Sequence, residues 1–180
     1  MRILKIFRET ISDGPGFRYS IYFSGCSHAC PGCHNEESWN PDNGEVMDSK
    51  YFKKITDEIN GNKMLSGITI SGGDPFYDSE EFLDFLVRLR KETGDIDIWC
   101  YTGYTIEQLL LDKVKKECLK YINTLVDGRF IQELHSEELS FRGSKNQRII
   151  LDTNLWISFL ISKNYSQLDE IIFERKCKIG

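Results

Sequence analysis

The sequence predicts an α/β fold organised around a parallel β-sheet. Strand-like segments at residues 19–23, 67–71, 95–101 and 122–126 are separated by helical patterns of about 12 residues each, and this alternation is typical of βαβ units. With a fifth predicted strand at residues 147–151, the fold is either an open doubly wound sheet or a partial (β/α) barrel. In both folds, functional residues gather at the carboxyl ends of the parallel strands.

Local signals delimit the three predicted helices. The first covers residues 49–60 and places its apolar side chains on one face. The second begins near Ser79 and is expected to end at Gly94, since glycine commonly follows the last helical residue. The third begins at a capping box formed by Thr105 and Gln108 and runs toward residue 120.

Length and composition are those of a globular protein. The 180 residues suit one domain, and with 40% hydrophobic and 28% charged residues they can form one core. The net charge of −5 argues against non-specific binding to nucleic acid. No apolar run approaches the ~18 residues that a membrane span needs, and the start of the chain lacks the apolar stretch of a signal peptide. We therefore expect a cytoplasmic protein with neither nucleic-acid nor membrane partners.

Three of the six cysteines lie within one short loop after the first predicted strand. Cys26, Cys30 and Cys33 follow the spacing Cys-x3-Cys-x2-Cys. Three thiolates on one loop can bind three irons of a [4Fe-4S] cluster and leave the fourth iron open to a substrate. A structural zinc site of Cys3His type is the alternative, with His28 or His34 as the fourth ligand. The spacing by itself leaves both interpretations open.

A second candidate motif, Gly72-Gly73-Asp74, follows the strand predicted at residues 67–71. Glycines let a ligand approach the backbone closely, and the carboxylate could accept from the ammonium of an amino acid. An ordinary βα turn is the alternative. Because both loops follow parallel strands, we expect them at the same rim of the sheet.

The remaining cysteines suggest no shared site. Cys100 ends an apolar strand and is expected to be a small buried hydrophobic residue. Cys118 and Cys177 have helical surroundings and no partner in the sequence pattern. We expect neither to contribute to function.

Several motifs, taken together, resemble a known family. They lie in order along the chain at residues 13–18, 25–35, 71–75, 99–104, 125–130 and 141–147. The first two are similar to the opening of radical S-adenosylmethionine (SAM) enzymes that activate glycyl-radical enzymes. The complete set resembles, within that group, the activating proteins of anaerobic ribonucleotide reductase. The resemblance covers residues 1 to about 150 and implies a shortened radical SAM partial (β/α) barrel with parallel strands.

The same resemblance implies the site residues. The implied cluster ligands are Cys26, Cys30 and Cys33. The residues implied to border SAM are Gly32, Cys33, His34, Gly72, Gly73 and Asp74. Two of these positions depart from the family pattern, because many radical SAM enzymes carry Glu where this chain has Asp74, and the activating proteins usually carry Tyr where it has His34.

The implied activity is the reductive cleavage of SAM and the formation of a glycyl radical on anaerobic ribonucleotide reductase. That reductase and a low-potential electron donor are the implied partners. Hydrogen-atom abstraction needs no general base, so the lack of a Ser/His/Asp arrangement is no objection. Two alternatives are a radical SAM enzyme that acts on a small molecule and a zinc-stabilised binding module without catalysis.

The C-terminal segment has a different resemblance. Residues 148–158 resemble the first strand and helix of a PIN-domain ribonuclease, in which an aspartate at the position of Asp152 helps to bind a metal ion. We therefore divide the chain into an activase domain, residues 1–150, and a tail, residues 151–180, derived from a truncated PIN domain by fusion or frame joining. A complete PIN domain is far longer and needs several carboxylates from distant segments, whereas only about 30 residues remain here, so we expect no nuclease activity. Alternatively, the tail forms a last helix that packs on the domain through Leu155, Phe159 and Leu160.

Overall fold

The computed structural model describes residues 1–153, which form one mixed α/β sheet structure. The strands are β1 (Arg2–Thr10), β2 (Arg18–Phe23), β3 (Glu45–Val46), β4 (Gly67–Gly72), β5 (Asp97–Tyr101), β6 (Thr124–Asp127) and β7 (Arg148–Leu151). The α-helices are α1 (Ser49–Gly61), α2 (Ser79–Thr93), α3 (Ile106–Leu111) and α4 (Lys113–Cys118).

The sheet has a parallel centre and antiparallel edges. Its seven strands are arranged in the order β3-β1-β2-β4-β5-β6-β7. The neighbours β2, β4, β5 and β6 pair in parallel, whereas β1, β3 and β7 pair antiparallel to their neighbours. The predicted parallel sheet is therefore confirmed for its centre, whereas the edge strands are antiparallel. The partial barrel stays a prediction from the resemblance.

The sequence analysis missed the two-residue strand β3 and also strand β1. Strand β1 pairs with β2 and with β3, yet Ile3 is its only buried residue. Charged residues interrupt its apolar pattern, and four of its nine residues are exposed while four others are half-buried. A strand with so little burial lacks the regular apolar alternation by which strands are recognised in a sequence.

The helices cover one face of the parallel centre. Buried side chains that alternate along the strands, such as Ile21, Phe23 and Ile70, form one apolar core with α1 and α2. Phe85 of α2 packs edge-to-face against Phe23, with 5.2 Å between ring centroids, and against Phe52 of α1. A doubly wound sheet would carry helices on both faces, so this single helical layer rules out that alternative. The opposite face of the described sheet is left open and can form a site.

Local sequence signals position the helices largely as expected. Asp48 caps α1 by accepting from the backbone N–H of Tyr51, and Gly94 follows the last residue of α2. The capping box of Thr105 and Gln108 begins α3. The single helix predicted from there to residue 120 is instead divided at Asp112, whose carboxylate caps α4.

Residues 148–153 belong to the sheet structure. Strand β7 pairs with β6 along its whole length, and the backbone N–H of Asp152 donates to the carbonyl of Asn123 at 2.7 Å. The buried hydroxyl of Thr153 donates to the carbonyl of Leu119 at 2.8 Å. The remaining tail, with the packing predicted for Leu155, Phe159 and Leu160, lies outside the described residues.

No helix among residues 1–153 is both long enough and apolar enough to cross a membrane.

Candidate active site

The two candidate loops meet at the carboxyl ends of β2 and β4, as the sequence predicts. The backbone N–H of Gly73 donates to the carbonyl of Phe23, and the N–H of Asp74 donates to the carbonyl of Gly25, both at 2.8 Å. These hydrogen bonds join the Gly72-Gly73-Asp74 turn to the first residues of the cysteine loop. The motifs therefore share one rim of the sheet.

The glycine pair is required by this backbone contact. Gly72 has φ +114°, and a Cβ on it would lie 2.3 Å from backbone atoms of Phe23. A Cβ on Gly73 would lie 2.3 Å from the carbonyl oxygen of Gly25. Such distances are far below van der Waals contact, so side chains at either position would separate the two loops. The glycines bring backbone against backbone, a role that the sequence analysis did not foresee.

The carboxylate of Asp74 is buried and has several donors. Thr102 Oγ1 donates to it at 2.9 Å, and the backbone N–H groups of Gly103 and Phe76 donate at 2.9 Å each. His28 Nε2 lies 2.7 Å from its Oδ2. Because a carboxylate oxygen accepts hydrogen bonds, we assign the donor role to this ring nitrogen. Asp74 thus links the ends of β4 and β5 to the cysteine loop.

The cysteine loop is folded by short-range contacts. The backbone N–H of Cys33 donates to the carbonyl of Cys30 at 3.1 Å, and the N–H of Asn35 lies 3.4 Å from Cys33 Sγ. Gly32 has φ +73°, and a Cβ there would overlap the side chain of Gln132. These contacts turn the chain back on itself between the second and third cysteines.

The donor set of the loop fits an iron–sulfur cluster. Cys26, Cys30 and Cys33 are free thiols, with Cys30 buried and the other two half-buried. Burial raises the pKa of Cys26, so its thiolate would gain from a bound cation. The amide Nδ2 of Asn35 is buried without a hydrogen-bond partner among the described residues. Cluster sulfurs and thiolates could accept from such a donor.

The described residues contain no group of three or more His, Cys, Asp or Glu side chains that is already arranged to hold a single metal ion. The zinc alternative required His28 or His34 as the fourth ligand. His28 instead directs Nε2 to Asp74. The side chain of His34 borders the cavity described next.

A cavity of about 320 Å³ opens on the face of the sheet opposite the helices, within the range of about 300–1,000 Å³ typical of small-molecule sites. Its polar lining includes Cys33, His34, Tyr22, Ser71, Tyr101 and Arg142. Of the sequence-predicted residues, Cys33 and His34 therefore lie at the cavity, whereas Asp74 directs its carboxylate toward His28 and Thr102.

The cavity contains polar groups that the sequence analysis missed. Tyr22 donates to the Asp13 carboxylate at 2.9 Å, and Tyr101 donates to the carbonyl of Phe141 at 3.0 Å. Burial is the main cause that raises the pKa of both tyrosines, so both phenols stay protonated at neutral pH. The alternation of side chains between the two faces of a strand could have indicated both tyrosines, since each lies at a position that faces away from the apolar core.

Comparisons with known proteins identify the family of this chain. Residues 12–150 match the family described as a 4Fe-4S single cluster domain. The chain is 38% identical over 152 residues to the anaerobic ribonucleoside-triphosphate reductase-activating protein of Haemophilus influenzae, and the alignment covers 83% of this chain and 97% of that protein. The chain belongs to the family of anaerobic ribonucleoside-triphosphate reductase-activating proteins.

Relatives with the same name extend beyond that species. The protein of Escherichia coli K12 is 36% identical over 140 residues, which cover 76% of this chain and 90% of the relative. The protein of phage T4 is 33% identical over 152 residues, which cover 83% and 94%. Membership of a 4Fe-4S family favours the cluster over zinc. These comparisons give no support to the predicted PIN-domain resemblance.

The remaining cysteines agree with expectation where they are described. Cys100 is fully buried in the core, and burial raises the pKa of its thiol. Cys118 is also buried, with its Sγ 3.6 Å from the carbonyl of Ser79. Cys177 lies outside the described residues.

Proposed function

We propose that this chain is a radical SAM activase that generates the glycyl radical on anaerobic ribonucleotide reductase. One observation carries the proposal: the three-cysteine loop and the Gly72-Gly73-Asp74 turn are joined by backbone hydrogen bonds beside a cavity that begins at Cys33. This supports the proposal because the three cysteines lie beside a space of cofactor size. The relatives are activating proteins of anaerobic ribonucleoside-triphosphate reductase, which favours that reductase as the substrate protein.

The cluster ligands of the proposal are Cys26, Cys30 and Cys33. Each supplies one soft thiolate, and three protein ligands leave one iron of a [4Fe-4S] cluster open. The partial burial of the three thiols would limit water at the cluster, and the Asn35 amide, which has no partner among the described residues, is available as a hydrogen-bond donor. Both effects tune the potential of a bound cluster.

SAM is proposed to occupy the cavity next to the open iron. Gly32, Cys33 and His34 would border SAM from the cluster side. Gly72, Gly73 and Asp74 would border its methionyl end. The Asp74 carboxylate would act there as a positioning group, because it already accepts from neighbouring groups.

When bound, the cluster and SAM would supply the radical chemistry that removes a hydrogen atom from a glycine of the reductase. The chain's own residues orient the reactants and exclude water. Tyr22 holds the Asp13 carboxylate, and Tyr101 fixes the segment at Phe141 over the cavity. Neither phenol is a proton source at neutral pH, since burial raises both pKa values. A low-potential electron donor is the second proposed partner.

Electron paramagnetic resonance tests the proposal. The full chain is reconstituted with iron and sulfide under anaerobic conditions, reduced, and measured with and without SAM. A [4Fe-4S]⁺ signal that changes on addition of SAM is expected, followed by a glycyl radical when the reductase is added. Stoichiometric zinc with no cluster signal would refute the proposal. A SAM-responsive cluster without a radical on the reductase would instead indicate a small-molecule substrate.

A further inference from the structure

His28 connects the cysteine loop to two neighbouring strand ends. Its Nε2 donates to the Asp74 carboxylate at 2.7 Å, and its ring lies edge-on to Tyr104 with 4.6 Å between the ring centroids. The side chains of His28 and Asp74 are 11% and 1% exposed. Gly103 permits this approach, because a Cβ there would lie 2.4 Å from His28 Cδ2. The ring is therefore held on several sides.

The main chain at His28 is held as well. Its carbonyl oxygen accepts a hydrogen bond from the guanidinium of Arg129, which lies just beyond β6. The next residue, Ala29, has φ +44°, in the left-handed region that residues with a Cβ rarely adopt. Such conformations persist where the surroundings constrain them from several directions. The contacts on either side of the His28 backbone supply that constraint.

Ala29 lies between the first two cysteines of the loop. Its backbone conformation therefore sets the path of the chain from Cys26 to Cys30. A reversal of φ at this one residue would redirect everything that follows it in the loop. The constraint at His28 consequently fixes the relative placement of two thiols through contacts between protein atoms.

We propose that His28 is a positioning residue which, together with Arg129, holds Ala29 in the left-handed conformation and preorganises the cysteine loop before a cluster binds. The identity of the bound group rests on the proposed function above. The ordering of the loop does not rest on that function, because every contact that holds His28 is made by protein atoms.

Hydrogen exchange tests the preorganisation in the full chain prepared without metal under reducing conditions. His28→Phe keeps a ring beside Tyr104 but removes the donor to Asp74, and it should raise amide exchange in residues 26–30 about tenfold. His28→Gln retains a donor and should stay within about threefold of the parent. His135→Phe, at an exposed histidine outside the loop, is the matched control and should leave exchange in residues 26–30 unchanged.

The double variant His28→Phe with Ala29→Gly makes the test specific to the strained residue. Glycine adopts positive φ without steric cost, so the double variant should exchange more slowly in residues 26–30 than His28→Phe. Equal exchange in His28→Phe and the parent would overturn the proposal. Exchange in the double variant as fast as in His28→Phe would also overturn it.

Cluster release gives a second readout on the reconstituted protein. Iron loss to a chelator, followed by visible absorption, should be about tenfold faster in His28→Phe than in the parent and should be slowed by Ala29→Gly. Equal release from His28→Phe and the parent would contradict a role in holding the cluster. If the parent takes up no cluster, the proposed function fails, while the exchange measured without metal still decides the role of His28.

Discussion

Replacing Gly73 by alanine should separate the two loops of the candidate site. Gly73 has no unusual backbone conformation, so the effect of an added methyl group is steric alone. The new Cβ would lie 2.3 Å from the carbonyl oxygen of Gly25 and 2.8 Å from that of Ser38. Both obstacles are backbone atoms, which cannot rotate away, so the turn has to move by roughly 1 Å to restore van der Waals contact.

The energetic cost follows from this movement. Overpacking typically costs about 1–3 kcal/mol, and each of the two 2.8 Å hydrogen bonds to Phe23 and Gly25 contributes about 1 kcal/mol. We expect a loss of roughly 2–4 kcal/mol in the free energy of unfolding, which lowers Tm by about 5–15 °C in a chain of this length. The altered loop spacing should also reduce cluster uptake.

Thermal unfolding of the full chain without metal measures the first effect. The matched control is Gly61→Ala, at the end of α1, where a Cβ would meet nothing within 4 Å. That substitution should leave Tm unchanged or raise the stability by about 0.5–1 kcal/mol. A Tm for Gly73→Ala equal to that of the parent would refute the assigned backbone contact. An equal loss of Tm in Gly61→Ala would also refute it, because the destabilisation would then not arise from the backbone contact at Gly73.

Further predictions concern the edge of the sheet and the cysteines. Arg148→Met should destabilise the protein by about 2 kcal/mol, because the buried Asp127 carboxylate loses the guanidinium whose Nε donates at 2.9 Å. Arg148 also lowers the pKa of Glu107 to about 2 from 4.5. Since that pKa is depressed in the folded state, the stabilisation is present above pH 4.5, and the difference in stability between parent and variant should shrink as the pH falls toward 2 in denaturant titrations. An equal decrease of this stability difference with pH in a Glu107→Gln background would contradict the assignment to Glu107. Cys33→Ser should abolish the cluster signal in electron paramagnetic resonance, whereas Cys100→Ser should retain it while it lowers the free energy of unfolding by about 1–3 kcal/mol. Loss of the signal in both variants would show that the serine substitutions act through general misfolding.

Regular periodicity made the helices and the central strands predictable. Alternating apolar residues define strands such as β4, and the caps at Asp48 and Gly94 are encoded within a few residues of the helix ends that they stabilise. Local interactions of this kind are readable from a sequence because both partners are near each other in the chain. Strand β1 was missed because its pairing partners, rather than its own burial, define it.

The sequence by itself determined the chemistry available to this protein. The spacing of Cys26, Cys30 and Cys33 specifies a three-thiolate loop, and the order of strands and helices places that loop and the glycine turn at one rim. Only the tertiary structure decided what the other residues do. Asp74 accepts hydrogen bonds from Thr102 and His28, which lie 28 and 46 residues away in the chain, and no local pattern encodes contacts over such separations. They arise because parallel strands bring their carboxyl ends together, and packing then determines which side chains turn inward and which face the cavity.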